Sequence, residues 1–314
     1  MKLSVVLPTH NPHAGRLART LDSLRRQTMA ADQWETILVD NASGTPLELE
    51  AWRESAPTNM RIVREETLGL TAARRCGLLE ARGDVIVMVD DDNVLSPDYL
   101  EQAAALITEH PQLGAAGGKS RPEFETPPPA WVREFHALLA CRDLGDEILI
   151  ATSLWHDGEK RNEYPAFAPI GAGMVLRRAA VEVWLQQPQS QLTDRRGGEL
   201  TSGGDNDIIL ALLSQGWHVG YFPALSLTHL IPTTRVQADY LARLNHGIAK
   251  SWIEVLTNYQ ACPWSPIAPW TLPLRQAKAW LTYRAWAGPA ARVRWRGACG
   301  HFEGLAAVSH TPSP

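Results

Sequence analysis

The sequence predicts a doubly wound α/β fold: a mostly parallel sheet flanked by helices, followed by a C-terminal helical extension. Three observations carry that expectation. Short apolar runs alternate with amphipathic segments through the first half of the chain. Polar clusters follow those runs at Pro8-Thr9-His10-Asn11, Asp40-Asn41 and Asp90-Asp91-Asp92. From Tyr259 to Phe302 the composition changes, with no Asp or Glu in the stretch.

Residues 3–7, "LSVVL", read as a buried strand ending at Pro8. Over 15–27, Leu17, Leu21 and Leu24 share one helical face. Residues 35–40 and 60–65 give two more strands, 70–81 a helix and 84–89 a fourth strand. Ser96-Pro97-Asp98 has the form of a helix start, with a hydroxyl cap and a proline at the first helical position. The proline-rich stretch 121–131 marks a boundary. Beyond it come a glycine turn, a strand and a helix over 169–185, with Val181, Trp184 and Leu185 facing inward. A further helix is expected over 205–215 and an extended segment over 219–232. The chain then divides into 1–118, 119–235 and a C-terminal 236–314. There is no internal repeat.

Composition excludes several classes. The chain has 314 residues, is 45% hydrophobic and 20% charged, which argues against global disorder. A net charge of −4 gives no general pull toward nucleic acid. The cysteines, at 76, 141, 262 and 299, are too scattered for a zinc or redox motif and fit a reducing cytosol. No apolar stretch reaches the roughly 18–20 residues that cross a bilayer, and the N-terminus lacks a signal-peptide core, so a cytoplasmic protein is expected. "GAAGGKS" (114–120) is close to a phosphate loop, but Leu113 stands where that motif needs glycine.

The aspartate triplet is the most informative cluster. In an extended segment Asp90 and Asp92 share a side while Asp91 points away, so two carboxylates can face one hard divalent cation. The plainer alternative is a solvated acidic turn ahead of a helix. In parallel sheets ligands sit beyond the carboxyl ends of the strands, which favours the metal reading. Asp205 and Asp207 lie in a first helical turn behind Gly203-Gly204. Asp205 is the better candidate for a general base; Asp207 equally suits simple charge–dipole complementarity. Taken alone, His229 on the apolar face of "LSLTHL" reads as a core histidine. One of Arg74 and Arg75 could meet a diphosphate, or both could be a solvated helix face.

The ordered set "VVLPTHNP", "LVDNAS", "LGLTAARRCGLLEARGDVIVMVDDDN", "GAGMVLRR" and "SGGDNDIILALLSQGW" resembles family 2 glycosyltransferases with the Rossmann-like GT-A fold. The resemblance covers roughly residues 3–232. It implies an inverting transfer of sugar from a nucleotide-sugar donor to a hydroxyl acceptor, a glycan or lipid-linked sugar, in cell-surface polysaccharide or glycan assembly. It implies that Pro8, Thr9, His10, Asp40, Arg74, Asp90 and Asp91 bind the nucleotide sugar, with Asp40 near the base. Asp92 and His229 would hold Mn²⁺ or Mg²⁺, and Asp205 would be the catalytic base. Gly171, Ala172, Gly173, Gly204 and Asp207 would lie near the sugar or acceptor. Gly204 is a departure, since many members carry glutamate there.

Two other functions compete with this one: nucleotidyl transfer to a sugar phosphate, and non-catalytic nucleotide-sugar binding. The first would show a glycine-rich basic loop after the first strand, and "PTHNPHAGR" is a poor version of one. Intact Asp90, Asp92 and Asp205 argue against the second. Residues 260–300 combine five tryptophans with six Arg and Lys. Either the tryptophans complete a core, or the segment, with a helix near 275–286, contacts the inner face of a membrane peripherally.

Overall fold

The computed structural model describes residues 2–156, 159–187 and 200–308. In chain order the first half runs β1 (Leu3–Thr9), α1 (Ala14–Arg25), β2 (Trp34–Asn41), β3 (Met60–Glu65), α2 (Leu70–Glu80), β4 (Val85–Met88), β5 (Asn93–Leu95) and α3 (Tyr99–Glu109). Then come β6 (Leu113–Phe124), a 3-10 stretch (Ala130–Leu139), β7 (Leu149–Ala151), β8 (Trp155–His156) and β9 (Glu159–Asn162). They are followed by β10 (Val175–Arg177), α4 (Arg178–Gln186), α5 (Gly204–Ser214) and β11 (His218–Ile231). Helices α6 (Ala238–Asn258), α7 (Leu272–Thr282) and α8 (Pro289–Val308) close the chain.

The main sheet has the order β3-β2-β1-β4-β10-β6-β11-β5, with β7 also paired to β11. Strands β3, β2, β1 and β4 are mutually parallel; β10 enters antiparallel between β4 and β6, and β11 runs parallel to β6. The mostly parallel expectation holds, and the reason is visible in burial. Leu3, Val5, Leu7, Val85 and Val87 face one core with α1 and α3, while Val6, Ile37, Val39, Ile86 and Met88 face another with α2, α4 and α5. Strands buried on both faces need uninterrupted apolar runs, and that is what the sequence shows. A third core joins the 3-10 stretch at 130–139 to α6 and α8 through Val132, Phe135, Leu139, Leu241, Leu244 and Val293.

Three local readings meet the structure, and one of them, the helix cap at Ser96, is corrected. The boundary between 118 and 119, drawn as two halves of one domain, falls inside β6, and both halves lie on one continuous sheet. Ser96 does not cap a helix: its hydroxyl has no hydrogen-bond partner among the described residues, and α3 starts at Tyr99. The "GAAGGKS" stretch is extended strand within β6, in line with its failure to match a phosphate loop.

Candidate active site

Parallel registry puts the carboxyl ends of β1 and β2 side by side, with Thr9 opposite Asp40. Residues 90–92 follow β4 on the same edge. The triplet is a turn rather than strand: the Asn93 N–H donates to the Asp90 carbonyl at 3.0 Å. Strand alternation therefore does not apply, and Asp91 does not point away. All three aspartates line one cavity of about 290 Å³, shared with Pro8, Thr9, His10 and Asn41. The Thr9 hydroxyl donates to the Asp91 carboxylate. Burial, and then the charge of Asp92, raise the Asp91 carboxyl well above the usual range.

The far wall of the cavity comes from elsewhere in the chain: Leu138, Leu139 and Ala140, then His229, Arg235, Tyr240 and Leu244. Strand β5 explains how His229 arrives. It pairs antiparallel with β11 and sets His229 opposite Asn93, one residue from Asp92. The Leu230 N–H donates to the Asp92 carbonyl at 2.9 Å, fixing that register. His229 Nε2 then lies 3.2 Å from Asp92 Oδ1, and both side chains are almost fully buried. His229 is thus not a plain core residue.

Arg235 completes the group and was not foreseen. Its guanidinium nitrogen lies 2.9 Å from Asp92 Oδ2 and 3.4 Å from His229 Nε2. A cationic nitrogen thus sits where a buried carboxylate and a buried imidazole converge, while His229 Nδ1 has no hydrogen-bond partner among the described residues. That arrangement suits a cation held by Asp92 and His229, with its other positions filled from outside the chain. Among the described residues no three His, Cys, Asp or Glu side chains form a complete metal cage. The sequence signal for Arg235 was its place just past the end of β11.

Asp205 is tied to this edge through two intermediaries. The Gly171 N–H donates to Asp205 Oδ2 at 2.9 Å, and the Asn206 N–H donates to Oδ1 at 3.0 Å. Gly171 lies against the buried Arg74 guanidinium: a methyl group there would be 2.4 Å from Nη2. Arg74 Nη2 in turn donates to Asp90 Oδ1 at 3.3 Å. The path Asp90–Arg74–Gly171–Asp205 thus joins the aspartate turn to the start of α5. Gly173 has φ +72, where a side chain would be strained, and its carbonyl accepts from the Tyr99 hydroxyl. Arg142 adds a second unforeseen cation near Asp205; burial lowers its pKa, and the charges of Tyr164, Tyr221 and Asp205 oppose that.

Other expected residues lie apart from the cavity. The Asp40 carboxylate accepts from the Ser43 and Leu47 N–H groups at 3.1 Å each and from Arg64 at 2.8 Å. Burial alone would raise its pKa, but these hydrogen bonds win and hold it below the usual carboxylate range. It stabilises the loop after β2, and its neighbour Asn41 is the one that lines the cavity. Asp207 accepts from Trp184 Nε1 at 2.7 Å and from the Tyr259 hydroxyl at 3.0 Å, so its role is to join α4, α5 and the end of α6. The Ala172 methyl belongs to the core beside Val175, and Gly204 is buried at the start of α5. Arg75 donates to the Leu185 carbonyl and stacks over Trp184, leaving Arg74 alone at the site.

A family model described as glycosyl transferase family 2 matches residues 4–184. The chain belongs to glycosyl transferase family 2. Residues 4–184 contain β1 through β10, including the aspartate turn, Arg74 and Gly171. The uncharacterized glycosyltransferase YwdF of Bacillus subtilis (strain 168) is 35% identical over 104 residues, 33% of this chain and 37% of that one. The succinoglycan biosynthesis protein ExoM of Rhizobium meliloti (strain 1021) is 25% identical over 258 residues, 75% of this chain and 74% of its own. The match therefore spans little more than a third of YwdF but most of ExoM. A mannosyltransferase of Pyrobaculum calidifontis, solved with GDP-Man and Mn²⁺, superposes with a TM-score of 0.58 at 19% identity over 98% of this chain and 86% of that one. That likeness establishes the GT-A fold.

Proposed function

We infer that this chain transfers a sugar from a nucleoside-diphosphate donor to a hydroxyl acceptor, with inversion, in glycan or polysaccharide assembly. The observation that carries the reading is the convergence of Asp92, His229 and Arg235 in a cavity linked to Asp205 through Arg74 and Gly171. The succinoglycan role of ExoM and the GDP-Man and Mn²⁺ of the mannosyltransferase support a nucleotide-sugar donor and a divalent cation.

The donor's nucleoside lies against the ends of β1 and β2, where Pro8, Thr9, His10 and Asn41 line the cavity. Arg74 and Arg235, on either side of the aspartate turn, attract the diphosphate. Asp92 and His229 would hold Mn²⁺ or Mg²⁺, which when bound supplies Lewis-acid stabilisation of charge on the departing diphosphate. Asp205 takes the proton of the acceptor hydroxyl, using a lone pair that its bonds to Gly171 and Asn206 leave open. The acceptor oxygen bonds to the anomeric carbon as the carbon–oxygen bond to the diphosphate breaks, and the electron pair leaves with the diphosphate. One displacement from the opposite face inverts the centre. Residues 1–118 would carry most of the donor side, and 119–235 would carry the acceptor side while reaching across to the donor through His229 and Arg235.

Nucleotidyl transfer is disfavoured at the loop after β1. His10 Nδ1 lies 2.7 Å from the Asn41 carbonyl, and the Asn11 N–H donates to the Ser43 hydroxyl at 2.9 Å, so that loop is braced against β2. The test is nucleoside diphosphate release from a panel of nucleotide sugars with Mn²⁺ or Mg²⁺. One donor should be hydrolysed slowly, and Asp92→Asn should abolish the metal dependence. If no nucleotide sugar binds in the presence of either metal, the reading is wrong.

A further inference from the structure

The acid-free stretch between Tyr259 and Phe302 folds into two unlike parts. Helix α8 is packed: its Val293, Cys299 and Leu305 are buried, and α6 lies along it. Helix α7 is different. At about 100° per residue, Leu272, Gln276 and Ala279 form its inner face, and these are its more buried positions. The opposite face carries Leu274, Ala277 and Leu281 within an arc of roughly 60°. Leu274 is 69% exposed and Leu281 60%. The outer face of a soluble surface helix is normally polar, so this apolar stripe points the wrong way for a helix whose only neighbour is the protein.

The stripe continues beyond both helix ends. Trp270, in the turn before α7, is 76% exposed. After it, Trp286 is 55% exposed and stacks on the exposed Trp280, with ring centroids 4.5 Å apart. Lys278 and Arg275 flank one side of the stripe, and Arg284 follows it. None of these three forms an ion pair among the described residues, whereas Arg292 and Arg294 on α8 are paired to Asp239 and Glu134. The patch is therefore apolar, rich in tryptophan and flanked by cations that have no ion-pair partner among the described residues.

We propose that the outward face of α7, with Trp270, Trp280 and Trp286, seats this protein on the surface of an anionic lipid bilayer. Tryptophan favours the headgroup boundary, lysine and arginine attract anionic headgroups, and the stretch itself carries no acid to offset them. Eleven residues are too short to span a bilayer, so the helix lies in the plane of the surface. A second copy of the chain is a poorer occupant, because it would set Arg275, Lys278 and Arg284 against like charges. This surface is independent of the nucleotide-sugar reading, since none of its residues lines the cavity.

Co-flotation of the whole chain with vesicles tests the assignment, using phosphatidylcholine alone and phosphatidylcholine mixed with phosphatidylglycerol. The chain should float with the mixed vesicles, lose binding as salt rises, and show a blue shift in tryptophan emission on binding. Each of Arg275→Gln, Lys278→Gln and Arg284→Gln should weaken partitioning about fivefold. Trp270→Ser combined with Leu281→Ser should abolish it, while nucleotide-sugar binding and melting temperature stay at parental values. Absence of flotation overturns the proposal, as does equal flotation with neutral vesicles or binding that survives the double substitution. A dimer in solution dispersed by that same substitution overturns it in favour of self-association.

Discussion

The two walls of the cavity are built in different ways. The near wall, Pro8 to His10, Asn41 and Asp90 to Asp92, comes from strand ends that parallel pairing aligns automatically. The far wall, Leu138 to Ala140, His229, Arg235, Tyr240 and Leu244, is assembled from segments held by the short strand β5, a 3-10 stretch and α6. The near wall thus depends on the sheet alone, and the far wall on long-range register. Asp92 is where the two meet, through His229 and Arg235.

The largest effect should come from the chemistry that needs both walls. Asp205→Asn keeps the contact with the Gly171 N–H within reach but cannot accept a proton. Transfer should fall on the order of 10²–10⁴-fold with donor binding preserved. Equal activity would remove the base from the near-to-far link altogether.

Removing the cation between the walls should be next. Arg235→Ala removes the guanidinium from the buried Asp92 carboxylate, while the His229 ring and the Asn93 amide stay beside it. Since Arg235 is about a quarter exposed, the loss of stability should be near the lower end of the range for such pairs, about 2 kcal/mol. Mn²⁺ should raise the melting temperature of this variant more than that of the parent, because it restores the missing charge. If Mn²⁺ stabilises both equally, Arg235 does not share a position with the metal.

Gly171→Ala sharpens the link between Asp90 and Asp205. The new methyl would lie 2.4 Å from Arg74 Nη2, the nitrogen that donates to Asp90, so the guanidinium must move and that bond is expected to be disturbed. Roughly 1–3 kcal/mol of destabilisation is expected, together with weaker donor binding by calorimetry. Unchanged binding would show that Arg74 does not serve the donor.

The smallest effect concerns Asp207, on neither wall. Burial raises its pKa, and the hydrogen bonds from Trp184 and Tyr259 only partly oppose this. A carboxyl with a raised folded value favours the folded state most below its unfolded value, near 3.9, and loses that contribution as pH rises through the folded value. Asp207→Asn lacks that falling slope. Its melting temperature relative to the parent should therefore improve between about pH 4 and about pH 7, with transfer activity little changed. An opposite slope would mean that the carboxylate is stabilised in place, contrary to the burial argument.

Tryptophans divide in the same way as the walls. Trp34 and Trp184 are buried in the cores of the sheet, but Trp270, Trp280 and Trp286 are left outside. Composition named the region without saying which ring went where, because side-chain burial depends on the partner a helix face finds. Helix α7 also begins at Leu272, earlier than the expected 275, since Pro273 is tolerated in a first helical turn.

By itself the sequence determined β1 to β4, their parallel arrangement and the edge that carries the aspartate turn, but not β6, part of which reads as a proline-rich boundary. Those follow from local periodicity and from the rule that ligands meet the carboxyl ends of parallel strands. The tertiary structure decided which side chains face the cavity. It turned the triplet so that all three aspartates line it, closed Asp40 into a loop, gave Asp207 to Trp184 and Tyr259, and brought Arg235 to Asp92. The physical reason is that a side chain's direction at a turn or helix end is set by whichever donor or charge reaches it. Those partners lie tens to more than a hundred residues away along the chain, beyond any local pattern.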